Sequence, residues 1–192
     1  MLFRSWQRDL SLSYEKIGDM LVTQGKLEEA LKAYRDSFAI FERLAATDPS
    51  NTEWQRDLSF SYDSVGGVLE RQGKLDEALK AYRDSLAIRE RLVALNPSNT
   101  EWQRDLSNSY NKIGDVLVTQ GKLDEALKAY RDSLAIMERL AASDPGNTRW
   151  QGNLSVAYLR VGDVLATQGK LDQALKAYRD SLAIMEIGRA HV

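Results

Sequence analysis

The chain has no cysteine, one histidine and three prolines in 192 residues. Without cysteine there can be no disulfide, no thiolate nucleophile and no cysteine-based zinc site. The lone histidine, His191, sits in an odd tail without a partner that could make it a base or a metal ligand. Charge of one sign is also missing: 26 Lys and Arg are interspersed with 28 Asp and Glu, a formal net charge of -2. That balance leaves no basic stripe of the kind that tracks a nucleic-acid backbone. No apolar run approaches the roughly 18–20 residues that span a bilayer. The opening MLFRSWQRD lacks the apolar core of a secretory signal, so a cytoplasmic setting is expected. Hydrophobic residues make up 43% and charged residues 28%, as in a folded chain. With proline scarce and Ala, Leu, Lys, Glu, Asp and Arg abundant, helix is favoured over strand.

What the chain has instead is repetition. Trp6, Trp54, Trp102 and Trp150 recur at a spacing of 48 residues, and the four copies align without a gap. Each copy continues through a glycine (Gly25, Gly73, Gly121, Gly169) into a nearly constant K-L-x-x-A-L-K-A-Y-R-D-S stretch. Pro49, Pro97 and Pro145 close the first three copies. A period of this size indicates stacked supersecondary units that bury their apolar faces against one another. The boundaries follow from the tryptophans: 6–53, 54–101, 102–149 and 150–186, with short tails at 1–5 and 187–192.

Each unit reads as two helices. Thr100, three residues before Gln103, suggests a capping box at the start of the first. Leu106, Tyr110, Ile113, Gly114 and Leu117 then fall on one helical face. Gly121 can take the left-handed conformation that ends a helix. Leu123, Ala126, Leu127, Tyr130, Leu134 and Leu140 form the second stripe, and Asp144-Pro145 stops it. A three-residue turn between the helices makes them antiparallel neighbours. On the second helix Asp124, Lys128 and Asp132 form a charged ladder at i, i+4 spacing, which marks a solvated face.

The motif Tyr110, Ile113, Gly114, Leu117, then Ala126 and Tyr130, resembles the tetratricopeptide repeat. Tyr14-Ile17-Gly18-Leu21 with Ala30-Tyr34, Tyr62-Val65-Gly66-Leu69 with Ala78-Tyr82, and Tyr158-Val161-Gly162-Leu165 with Ala174-Tyr178 match it equally. The family's period is about 34 residues. The longer unit here is similar to the long-helix repeats of kinesin light chains. The resemblance implies an all-α solenoid of antiparallel helix pairs wound in a right-handed superhelix, with a groove lined by the first helices.

Comparing the copies with each other locates the positions that differ. They cluster on one face of the first helix: Leu12, Phe60, Asn108 and Val156; Glu15, Asp63, Asn111 and Leu159; Val22, Glu70, Val118 and Ala166. Asp19, Asp115 and Asp163 share that face, with Gly67 at the corresponding place in the second copy. The resemblance makes this the binding face for a protein or peptide partner. Its acidic and apolar mixture suggests an extended or helical segment carrying some positive charge. The family's carboxylate clamp is not expected, because Glu15 and Asp63 stand where it would need basic residues.

The regularly spaced tryptophans and the Tyr34, Tyr82, Tyr130 and Tyr178 series read as packing residues. Every polar constellation recurs with the repeat, whereas a catalytic site needs a unique convergent set. The expectation is a non-enzymatic interaction scaffold without cofactor, metal, nucleic-acid or membrane partner. The alternative is the sensor or regulatory region of a larger bacterial signalling enzyme, such as an NTPase, kinase or caspase-like protease. The two tails break the repeat: LFRS precedes Trp6 where SNTE is expected, and IGRAHV follows Glu186 where RLAA is expected. Both can be back-translated into the ends of a common sequencing adapter, so the chain is expected to be a metagenomic window on a longer array. Its exposed ends would favour end-to-end self-association.

Overall fold

The computed structural model describes residues 2–190, and the side chains of residues 6–186. Eight α-helices make up the described residues: α1 (Leu2–Thr23), α2 (Leu27–Thr47), α3 (Thr52–Arg71), α4 (Leu75–Leu95), α5 (Thr100–Thr119), α6 (Leu123–Ser143), α7 (Thr148–Thr167) and α8 (Leu171–Ala190). The chain divides into two compact units, Met1–Asn96 and Pro97–Val192. In the first, α1 packs on α2, α2 on α3, and α3 on α4; in the second, α5 to α8 repeat the same order. This is the all-α architecture of stacked helix pairs that the period implies. His191 lies outside the described residues.

The turn within each pair is set by one glycine. Gly25, Gly73, Gly121 and Gly169 have φ of 73 to 75°, which only glycine adopts without penalty. In the first pair Lys26 N–H bonds the Leu21 carbonyl at 2.9 Å and Gly25 N–H bonds that of Val22 at 3.0 Å. These two bonds satisfy helix-end carbonyls in the Schellman arrangement.

The helix starts correct one expectation. Thr100 is the first residue of α5, not its cap. The cap is Asn99, with φ -73° and ψ 101°, whose side-chain oxygen accepts from the Trp102 amide at 3.1 Å. Asn51 and Asn147 do the same for Trp54 and Trp150. The glutamine therefore does not reach back to a threonine. Gln55 donates instead to the Ala45 carbonyl at 3.3 Å, and Gln151 to those of Ala141 and Pro145, tying each first helix to the end of the helix before it.

Small residues bring the helices of a pair together. A Cβ added at Gly66 would lie 2.7 Å from Cε1 of Tyr82. Ala30, Ala78, Ala126 and Ala174 are buried opposite. Serines also line these crossings: Ser107 and Ser133 share a hydrogen bond at 2.7 Å, Ser155 and Ser181 one at 2.8 Å, and Ser85 donates to the Ser59 carbonyl at 2.9 Å. These three crossings thus place a small polar side chain where a larger one would hold the backbones apart, with a hydrogen bond across the gap.

Candidate binding face

In the first unit, side chains of α1 and α3 meet directly. Arg8 donates to Asp57 at 2.7 Å and reaches Glu53 at 2.7 Å, while Ser64 donates to Glu15 at 2.8 Å. In the second unit Arg160 of α7 pairs with Asp115 of α5. Within each unit, the two first helices therefore meet through their side chains.

The varied residues on this face separate into two groups. Leu12 and Phe60 in the first unit, and Val156 and Leu159 in the second, are exposed apolar side chains, with Val118 beside Asn108 and Asn111 on α5. Asn108 is exposed, while Val22 and Asn111 are half-buried. The acidic residues are different, because most of them have partners within the chain.

Asp19, Asp115 and Asp163 each accept the phenol hydroxyl of the second-helix tyrosine: Tyr34 at 2.8 Å, Tyr130 at 2.6 Å and Tyr178 at 2.9 Å. In the second repeat Gly67 replaces this aspartate, and Glu70, one turn on, accepts from Tyr82 at 2.8 Å. Burial raises the pKa of the Tyr34 and Tyr130 hydroxyls, and the neighbouring aspartate raises it further. For Tyr178 the hydrogen bond to Asp163 is the chief cause. These phenols stay protonated and donating across the physiological range.

Asp63 is buried rather than presented. Arg89 of α4 reaches Asp63 Oδ2 at 2.9 Å and donates to Ser59 Oγ at 3.2 Å. Its guanidinium carbon also lies 4.9 Å from the centre of the Phe60 ring, and that of Arg56 lies 5.3 Å from it. Both are cation–π distances. Glu15 is half-buried, and burial pushes its carboxyl up despite the opposing hydrogen bonds of Ser64, Ser37 and Ser61. Lys16 sits 3.6 Å from Asp19.

Arg89 was not among the residues singled out from sequence, although a signal for it existed. Its equivalents are Phe41, Met137 and Met185, so it is the one charged residue at an otherwise apolar core position. The hydroxyl partners of Asp19, Asp115 and Asp163 were equally invisible, because the tyrosines read simply as core. Among the described residues there is no cluster of three or more His, Cys, Asp or Glu that could hold a metal ion. No helix of the described residues is long and apolar enough to cross a membrane.

The tetratricopeptide repeat family model matches residues 9–91 and 105–187. The chain belongs to the tetratricopeptide repeat family. No curated protein sequence matches it. Among solved structures it is similar to BtubC (BKLC) from P. vanneervenii, at 16% identity and a TM-score of 0.74, over 94% of this chain and 65% of that one. The apo form of RapI matches at 15% identity and a TM-score of 0.72, over 95% of this chain and 58% of that one. Aspartyl phosphate phosphatase F from Bacillus subtilis matches at 11% identity and a TM-score of 0.73, over 95% of this chain and 42% of that one. The chain thus spans from about two fifths to just under two thirds of the length of these proteins, and the likeness concerns the fold.

Proposed function

We propose that the protein is a non-catalytic interaction scaffold whose first-helix faces hold apolar side chains of a partner peptide or helix. The observation that carries this is a contrast on the first-helix face of each unit. Leu12, Phe60, Val156 and Leu159 are exposed, while Asp63, Glu70 and Asp115 are engaged by Arg89, Tyr82, and Tyr130 with Arg160. Apolar side chains set among internally paired polar groups desolvate cheaply, which is what an interface core requires. Asp19 in the first unit and Asp163 in the second are exposed and favour some positive charge on the bound segment. The RapI and phosphatase F chains, in which this fold is part of something longer, support a second reading: a regulatory region within a larger signalling protein.

The test is selection from a displayed random-peptide library, with recovered peptides titrated by fluorescence anisotropy. The expected peptides carry spaced large apolar residues, and Phe60→Ala or Leu159→Asp weakens them by about tenfold or more. Lys128→Glu, on the exposed ladder of α6, leaves them unchanged. Peptides that bind the Phe60 and Leu159 variants as well as the parent would reject the assignment of this face.

A further inference from the structure

Phe60 stands where the other repeats carry Leu12, Asn108 and Val156. It is 41% exposed, yet its ring lies against a charged side chain, Arg89, that is only 1% exposed. The Arg89 guanidinium carbon sits 4.9 Å from the ring centre, and that of Arg56, one turn earlier on α3, sits 5.3 Å from it. Arg89 is itself held by two buried neighbours of Phe60 on α3. Its Nε donates to Ser59 Oγ at 3.2 Å, and Nη2 reaches Asp63 Oδ2 at 2.9 Å. Phenylalanine and arginine occur together at these two places in the second repeat alone, because the equivalents of Arg89 are Phe41, Met137 and Met185. A buried ion pair adds little over well-packed apolar residues, so stability does not account for Arg89. What the guanidinium supplies, and methionine would not, is a cation within reach of an aromatic ring.

We infer that Arg89 is a positioning residue of the proposed binding face: held by Ser59 and Asp63, it keeps the Phe60 ring in one rotamer before a partner arrives. That role rests on Phe60 being an anchor for the partner segment. A side chain that is already ordered loses less rotamer freedom when a partner covers it. Affinity is thereby gained without any contact between the partner and Arg89, which its burial would prevent. Leu12, the corresponding residue on α1, has Phe41 rather than a cation at the equivalent place on α2. The second repeat therefore differs from the first in having a preset aromatic anchor.

The test uses the full chain with Arg89→Met and Asp63→Leu together, so that neither charge is left stranded in the core. Three-bond couplings across the Phe60 χ1 torsion report its rotamers in the free protein. The parent is expected to show one rotamer and the double variant an average over several. Arg89→Gln with Asp63→Asn keeps hydrogen-bonding groups in the core without charge, and it is expected to average as well. This second pair serves if the apolar one does not fold, which circular dichroism reports. Peptides selected against the parent should bind either folded double variant about three- to tenfold more weakly. In a Phe60→Leu background the same exchanges should bring no further loss, an outcome that a merely structural role would not produce. A single Phe60 rotamer in the variants, or averaging already in the parent, overturns the inference. So does an affinity loss that persists in full with Phe60→Leu. The couplings are read without a partner, so they decide the role of Arg89 even where peptide selection fails, and that failure counts against the binding face alone.

Discussion

The Tyr82 hydroxyl donates to Glu70 at 2.8 Å, one helical turn beyond the place where Tyr34, Tyr130 and Tyr178 find aspartate. The second repeat has lost that aspartate to Gly67 and recovered the hydrogen bond from a different residue. A Cβ built on Gly67 would lie 3.7 Å from the Tyr82 hydroxyl oxygen, so the site has room for a side chain. Glu70→Ala is expected to lower stability by about 0.5–1.5 kcal/mol through the lost bond. Adding Gly67→Asp should restore it, with a further gain from removing glycine inside a helix. Urea denaturation of the two variants checks this; a double variant no more stable than Glu70→Ala would show that Glu70 is not the substitute acceptor.

The buried Arg89–Asp63 pair makes a sharper expectation. Removing one partner leaves a charge in the core, so Asp63→Ala should destabilise by about 3–5 kcal/mol. The position of Arg89 is filled by a buried apolar side chain in the first and third repeats, Phe41 and Met137, and the fourth repeat carries Leu159 in place of Asp63. Asp63→Leu with Arg89→Met should therefore be far milder than either single change, and neutral or stabilising overall. A double-mutant cycle by thermal and urea unfolding measures the coupling. If the two changes merely add, the ion pair is not what holds these residues in the core.

The fold was legible because its determinants are local and repeated. Glycine at the left-handed turn and proline after Asp144 each act within a few residues, and fourfold repetition made their spacing plain. The candidate face was only half legible. Periodicity grouped Asp63 with Phe60 on one side of α3, but its burial depends on Arg89, which lies on the next helix. Asp115 likewise looked free because its partners, Tyr130 and Arg160, come from α6 and α7. Pairing between helices is decided by side-chain reach and depth, and a helical wheel carries neither.

Glu15 makes stability depend on pH. Burial raises its pKa above that of the unfolded chain, so the folded state holds this proton more tightly. Well below the ordinary glutamate value of about 4.3, both states are protonated and the group has no effect. As pH rises through that value toward the raised one, the unfolded state ionises first and stability falls. Above both values the loss is constant. Glu15→Gln is therefore expected to raise the melting temperature at pH 7 and to bring little change near pH 3. A variant that is less stable at pH 7 would mean the carboxylate's hydrogen bonds outweigh its burial.

The cap of α5 can be assigned by separating two adjacent residues. Asn99 and Thr100 are both good caps by composition, yet only Asn99 has the extended backbone and the bond to the Trp102 amide. Asn99→Ala should cost about 1 kcal/mol, whereas Thr100→Ala, at the first helical position, should lie within about 0.5 kcal/mol of the parent. Asn51 and Asn147 hold the same geometry, so the difference should recur for Asn147→Ala against Thr148→Ala. Chemical denaturation resolves such differences when the slope is unchanged. An equal loss from Thr100→Ala would move the cap back to threonine and restore the threonine–glutamine box as the start of each first helix.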